Sequence, residues 1–89
     1  MKIVYFVMDE AIKGDPTWDT FGGVFASKES AMDEAETQWM YLTERERKNR
    51  VIQVCHADVA DDVALEDAYN VICDAGEGWF IDHEFKEEA

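Results

Sequence analysis

The chain has 89 residues, 47% of them hydrophobic and 12% aromatic, and carries a formal net charge of −13. That length implies one domain over residues 1–89, with a small core, because a chain of this size buries only about 60–65% of its unfolded surface. Five Phe, three Trp and three Tyr are too many for a disordered acidic tail, and no run approaches the ~20 apolar residues of a membrane span.

Taken in order, Lys2 to Met8 (KIVYFVM) is β-branched and aromatic with apolar residues on both faces, the pattern of an interior strand. It does not read as a signal peptide: the apolar run is short, Asp9-Glu10 follow at once and no small-residue cleavage site fits. The expectation is a cytoplasmic protein. Asp9 to Asp19 is a polar loop with Gly14, Pro16 and Trp18, longer than a tight hairpin needs. Trp18 is either a contact residue on that loop or a lid folded back on the core; the abundance of aromatics in small cores favours the lid. Thr20 to Ala26 is a second strand, in which Gly22-Gly23 mark a bulge or a close backbone approach, without phosphate-loop spacing.

Ser27 is the expected N-cap of the main helix. Glu29, Asp33 and Glu34 lie early in it, where the dipole favours acids, and Ala31, Ala35, Trp39 and Leu42 form one apolar stripe of helical period. Thr43 with Glu46 three residues on is a capping-box pattern, predicting a break and a short second helix over about Glu44 to Asn49. Arg45, Arg47, Lys48 and Arg50 collect at its end, where the dipole favours cations. Arg50 to Ala57 (RVIQVCHA) is the third strand, giving the sheet order second-first-third with the helix on one face.

Composition shifts at Asp58: residues 51–89 hold eleven acids against Lys86 alone, whereas residues 1–50 hold ten acids and seven basic residues. Within this half Leu65, Ala68, Tyr69 and Ile72 recur at helical spacing, with Asp61 or Asp62 as cap and Gly76 at the end. Gly78 to Phe85 (GWFIDHEF) reads as a last strand or docked segment, with Trp79, Ile81 and Phe85 on one side and Asp82 and Glu84 on the other. The fold class is thus α+β: a β-β-α-β core with an antiparallel sheet of three or four strands, one main helix on one face and a second short helix in the C-terminal half.

Chemical motifs are sparse. Cys55 and Cys73 read as free thiols, Cys55 as a small core hydrophobe. A zinc set of Cys55, His56, Cys73 and His83 lacks ligand spacing, and Cys55 and His56 face opposite sides of a strand. Asp58, Asp61, Asp62, Glu66 and Asp67 miss the EF-hand pattern, and His56 and His83 have no nucleophile motif beside them. No metal, cofactor or enzymatic activity is expected on these grounds.

The charge has two readings. One is solubility, for a generic interaction or structural module, monomeric or homodimeric. The other is mimicry: duplex DNA carries one charge per ~1.7 Å along its axis, and a carboxylate face competes for the Lys/Arg groove of a nucleic-acid-binding protein. Candidate partner-binding residues are Asp58, Asp61, Asp62, Glu66, Asp67, Asp74, Glu77, Asp82 and Glu84, with Trp18 and Trp79 as anchors. Direct nucleic-acid binding is disfavoured, since Arg45, Arg47, Lys48 and Arg50 are a small patch in a negative field. No membrane partner is expected.

The pattern GVFASKESA at 23–31, with Trp39 and then LTERERKNRVIQV at 42–54, resembles short uncharacterised proteins of bacterial mobile elements and phages, many from gut Firmicutes. The resemblance covers about a third of the chain, rests on structural motifs and implies no residue roles. Small acidic phage proteins include anti-CRISPR and anti-restriction inhibitors, so by analogy of size, charge and origin it implies an inhibitor of bacterial defence.

Overall fold

In the computed structural model, β1 (Lys2–Ala11) and β3 (Arg50–Val59) pair antiparallel without a register break, from Lys2 opposite Val59 to Ala11 opposite Arg50. The structure describes residues 1–11, 20–74 and 78–87, and the side chains of residues 1–9, 23–72 and 78–87. The loop carrying Trp18, together with Gly76 and Glu77 and the side chains of Cys73 and Asp74, lies outside these. β2 (Thr20–Phe25) flanks β1 and β4 (Trp79–Phe85) flanks β3, giving the antiparallel order β2-β1-β3-β4. The helices are α1 (Lys28–Tyr41), α2 (Glu44–Arg47) and α3 (Ala68–Asp74), the last preceded by a 3-10 turn at Leu65–Asp67.

The α+β class and the second-first-third strand order are those expected, and the last segment takes the place beyond β3. The central strands are longer than the sequence pattern suggests. Asp9 belongs to β1 rather than to a loop, because β3 continues opposite it and the Arg50 guanidinium donates to Asp9 Oδ1 at 3.0 Å. β3 likewise runs on to Val59, which is buried.

Alternation along β1 and β3 divides the core in two. Val7, Ile52 and Val54 point to the α1 side and pack with Ala31 and Ala35, and Tyr5, Phe25, Trp39, Leu42 and Phe85 surround them. Val4, Phe6, Cys55, Ala57 and Val59 point the other way, under Ala68 and Ile72 of α3. Helices therefore cover both faces of the central pair, which is why β1 is apolar on both sides. Alanines at the α1 contact let its backbone lie close on the sheet.

The caps follow the sequence closely. Ser27 Oγ accepts from Ser30 N–H at the α1 start. Thr43 and Glu46 form the reciprocal capping box, with Thr43 N–H donating to Glu46 Oε1 and Glu46 N–H donating to Thr43 Oγ1. α2 is one turn, ending at Arg47 instead of Asn49. Arg47 serves the preceding helix as well as its own: α1 has no basic residue in its last turn, and the Arg47 guanidinium donates to the carbonyls of Trp39 and Met40 while lying 5.5 Å from the Trp39 ring centre. Open carbonyls and the negative end of the α1 dipole meet a cation there. Asp61 and Asp62 do not cap the C-terminal helical segment. The chain must first turn off β3, with Val63 N–H donating to the Ala60 carbonyl, and Ala64 takes the cap position with no side-chain hydrogen bond.

Two bulges correct the alternation. Val7 faces Gly23 but Met8 faces Phe21, so Gly22 is the extra residue, as the glycine pair suggests. Gly23 has φ +131°, and a Cβ there would meet the Phe25 ring at 3.0 Å. In β4, Cys55 faces Ile81 while Val54 faces His83, so Asp82 is extra. That insertion moves Phe85 to the opposite face from Trp79 and Ile81, and puts Glu84 across the sheet from Asp82; the two-sided grouping expected for this strand fails for that reason.

Phe6→Ala should destabilise the fold by about 3–5 kcal/mol in urea unfolding, since Phe6 is fully buried beneath Tyr69 and Trp79. The Glu46 carboxyl is held below its usual value by the Thr43 N–H, then by the Thr43 side chain and Arg50. Its contribution is therefore present above pH 4.5 and lost as pH falls through the lower folded-state value. A carboxyl NMR titration should show the Glu46 midpoint rising in Thr43→Ala.

Candidate binding surface

Register brings one residue from each strand into a row across the α1 face of the sheet: Phe25 faces Tyr5, Tyr5 faces His56, and His56 faces Phe80. The His56 ring stacks on Phe80 (5.2 Å between centres, 25°) and lies 6.1 Å from Tyr5. This row marks the limit of cover by α1. On one side of it Val7, Val54 and Ile52 are fully buried; Phe80 at its end is 60% exposed, and on the other side Ile3 is 50% exposed with Asp58 exposed opposite it.

The β4 bulge supplies the charged member of this surface. Both Asp82 carboxylate oxygens lie 2.8 Å from His56 Nδ1, and both side chains are mostly covered. A protonated Nδ1 donates to the carboxylate, which fixes the ring plane against Phe80. Cys55, one residue away, is buried on the opposite face, so strand alternation keeps the thiol apart from the His56–Asp82 pair. His83 contacts Phe85 edge-on at 4.6 Å. Among the described residues no three His, Cys, Asp or Glu side chains converge as a metal site requires.

The structure sorts the sequence-predicted acids into different settings. Asp58 is exposed one residue before the end of β3; Asp61 and Asp62 are exposed in the turn after it; Glu66 and Asp67 are exposed in the 3-10 turn. Asp61 lies 3.4 Å from the Met1 amino group, while Asp58, Asp62, Glu66 and Asp67 meet no cation among the described residues. Asp82 is engaged by His56, and Glu84 accepts from Gln53 Nε2 on the other face. The Asp74 side chain and Glu77 lie outside the described residues, as does Trp18.

Trp79 is 41% exposed and makes a T-shaped contact with Phe6, 5.9 Å between ring centres, so it is at once a core contact and a surface residue. The aromatic row and the His56–Asp82 pair were not visible as a site beforehand. Tyr5, His56 and Phe80 are far apart in sequence, and only the strand pairing makes them neighbours; the residue spacing carries no signal of it.

No helix among the described residues is long and apolar enough to cross a membrane. Neither protein-family models, nor curated proteins, nor solved structures give a match to this chain.

A double-mutant cycle of His56→Ala and Asp82→Ala should return a coupling of about 0.5–1.5 kcal/mol at neutral pH in urea unfolding. Asp82→Asn should recover part of it, since the amide oxygen still accepts from an Nδ1–H.

Proposed function

We propose that this chain is a non-catalytic acidic binding protein that occupies the basic surface of a nucleic-acid-binding protein, in the manner of a phage or mobile-element inhibitor of a bacterial defence nuclease. The observation that carries the reading is the run of exposed carboxylates from Asp58 to Asp67, four of them without a cation among the described residues, in a chain of net −13. Carboxylates already paired within a protein have little attraction left for a partner. Unpaired ones steer association and take up Lys or Arg directly, and such contacts weaken as salt rises because the screening length is only about 8 Å at physiological ionic strength. The exposed aromatic surface beside them adds the apolar component that a lasting complex requires.

A second reading, a homodimeric interaction module whose acidity serves solubility, is favoured by one feature: Trp79, Phe80 and Ile81 are consecutive and all exposed.

The test is affinity capture from a bacterial lysate at low and high salt, with the wild-type chain and an Asp58→Asn, Asp61→Asn, Asp62→Asn, Glu66→Gln, Asp67→Gln variant as baits. The expected outcome is recovery of a basic DNA-handling protein at low salt, its loss at high salt, and roughly tenfold weaker retention by the neutralised bait, equivalent to ~1.4 kcal/mol. Equal retention by both baits at both salt concentrations would contradict the reading.

A further inference from the structure

Edge strands in stable proteins are guarded, because a row of unpaired N–H and C=O groups is a template for another strand. The outer side of β2–β1–β3–β4 at β4 is guarded unevenly. The C-terminal half of β4 has the Asp82 bulge, Glu84 and then Lys86. The N-terminal half, Trp79–Ile81, has no bulge, no proline and no charge, and its residues are 41%, 60% and 52% exposed. Gly78, just before it, has φ +130° and, among the described residues, open space where a Cβ would stand.

Alternation places Trp79 and Ile81 on the α3 side of the sheet and Phe80 on the α1 side. A ligand lying on one face would cover only part of this apolar surface. A strand added beside β4 would cover it from both faces, since its own side chains alternate in the same way. Asp82 borders the segment on one side and Asp58 stands on the same face as Phe80, so the flanking charge is negative. A second copy of the chain is a poor occupant: it would bring another thirteen net negative charges to this edge.

We infer that the Trp79–Ile81 edge of β4 receives an extended segment of a basic partner protein, paired as a fifth strand, with apolar side chains against Trp79, Phe80 and Ile81 and Lys or Arg side chains toward Asp58. This rests on the proposed function and assigns it a recognition mode: main-chain pairing supplies register, and charge selects the partner. A guanidinium over Phe80 gains a cation–π contact in addition to the field of Asp58 on the same face.

The probe is a fluorescein-labelled peptide of alternating Arg and Val, capped at both ends, with a control of the same sequence N-methylated at alternate residues. The control keeps the charge and loses strand pairing. Anisotropy titration of the wild-type chain is expected to show the control binding about tenfold more weakly, a difference of ~1.4 kcal/mol. Hydrogen exchange of the Trp79–Ile81 amides should slow with the first peptide alone, and Ile81→Lys, a change at a half-exposed position, should weaken that peptide specifically. Equal binding of both peptides overturns edge pairing while leaving acid-driven recognition of a basic partner intact. Binding of neither overturns both. A concentration-dependent dimer of the free chain, broken by Ile81→Lys, overturns the inference in favour of a second copy on this edge.

Discussion

The structure depends on one constraint: β1 and β3 are paired along their whole lengths and buried on both faces over their central residues. A backbone ladder between strands that water cannot reach must be complete, because each unpaired N–H or C=O left inside costs free energy comparable to a lost hydrogen bond. The pair meets that demand, and its alternating side chains then require cover on both sides. α1 supplies one cover, reached through β2 and capped at Ser27; α3 supplies the other, reached by the turn off β3. The 89-residue chain thereby obtains two thin apolar layers that share the same central strands.

The cover is unequal, and that inequality shapes the surface. α1 ends where Arg47 closes its carbonyls and lies over Trp39, which commits the helix to the Ile52 end of the sheet. The Ile3 end of the same face stays open, bounded by the Tyr5–His56–Phe80 row. Into this boundary the β4 bulge inserts Asp82, whose carboxylate locks His56. A one-residue irregularity thus places a charged group beside an exposed aromatic ring, while the residues beyond it return to the core through Phe85.

Under the proposed function, the acids are not all equivalent. Asp82 and Glu84 are engaged within the sheet by His56 and Gln53, so they act near a partner mainly through their fields. Among the described residues, the exposed carboxylates between Asp58 and Asp67 have no such engagement beyond the Asp61 contact with the Met1 amine, which leaves capacity for an incoming cation. Charge of this kind sets encounter rate and partner class; the apolar residues near it set how long a complex lasts.

Local physics made much of the fold legible in the residues. Ser27, Thr43 and Glu46 carry their caps in their own side chains, Gly22-Gly23 announces a bulge because only glycine tolerates the backbone needed at Gly23, and Ala31 and Ala35 recur with the helical period. The two-faced apolarity of Lys2–Met8 placed that strand at the centre for the same reason: a strand exposed on one face would alternate. Other features depended on which strand lies beside which. The bulge at Asp82 arises from the match between β3 and β4, and nothing in WFIDHEF marks it; one inserted residue reversed the facing of everything after it. Asp61 and Asp62 resemble caps in isolation, but the helix could begin only after the chain had cleared the end of β3. The row from Tyr5 through His56 to Phe80, like the place of β4 at the end of the strand order, exists only once distant segments are paired. Composition determined that the chain is acidic and has a packed interior; tertiary pairing decided which carboxylates are held within the protein and which face outward.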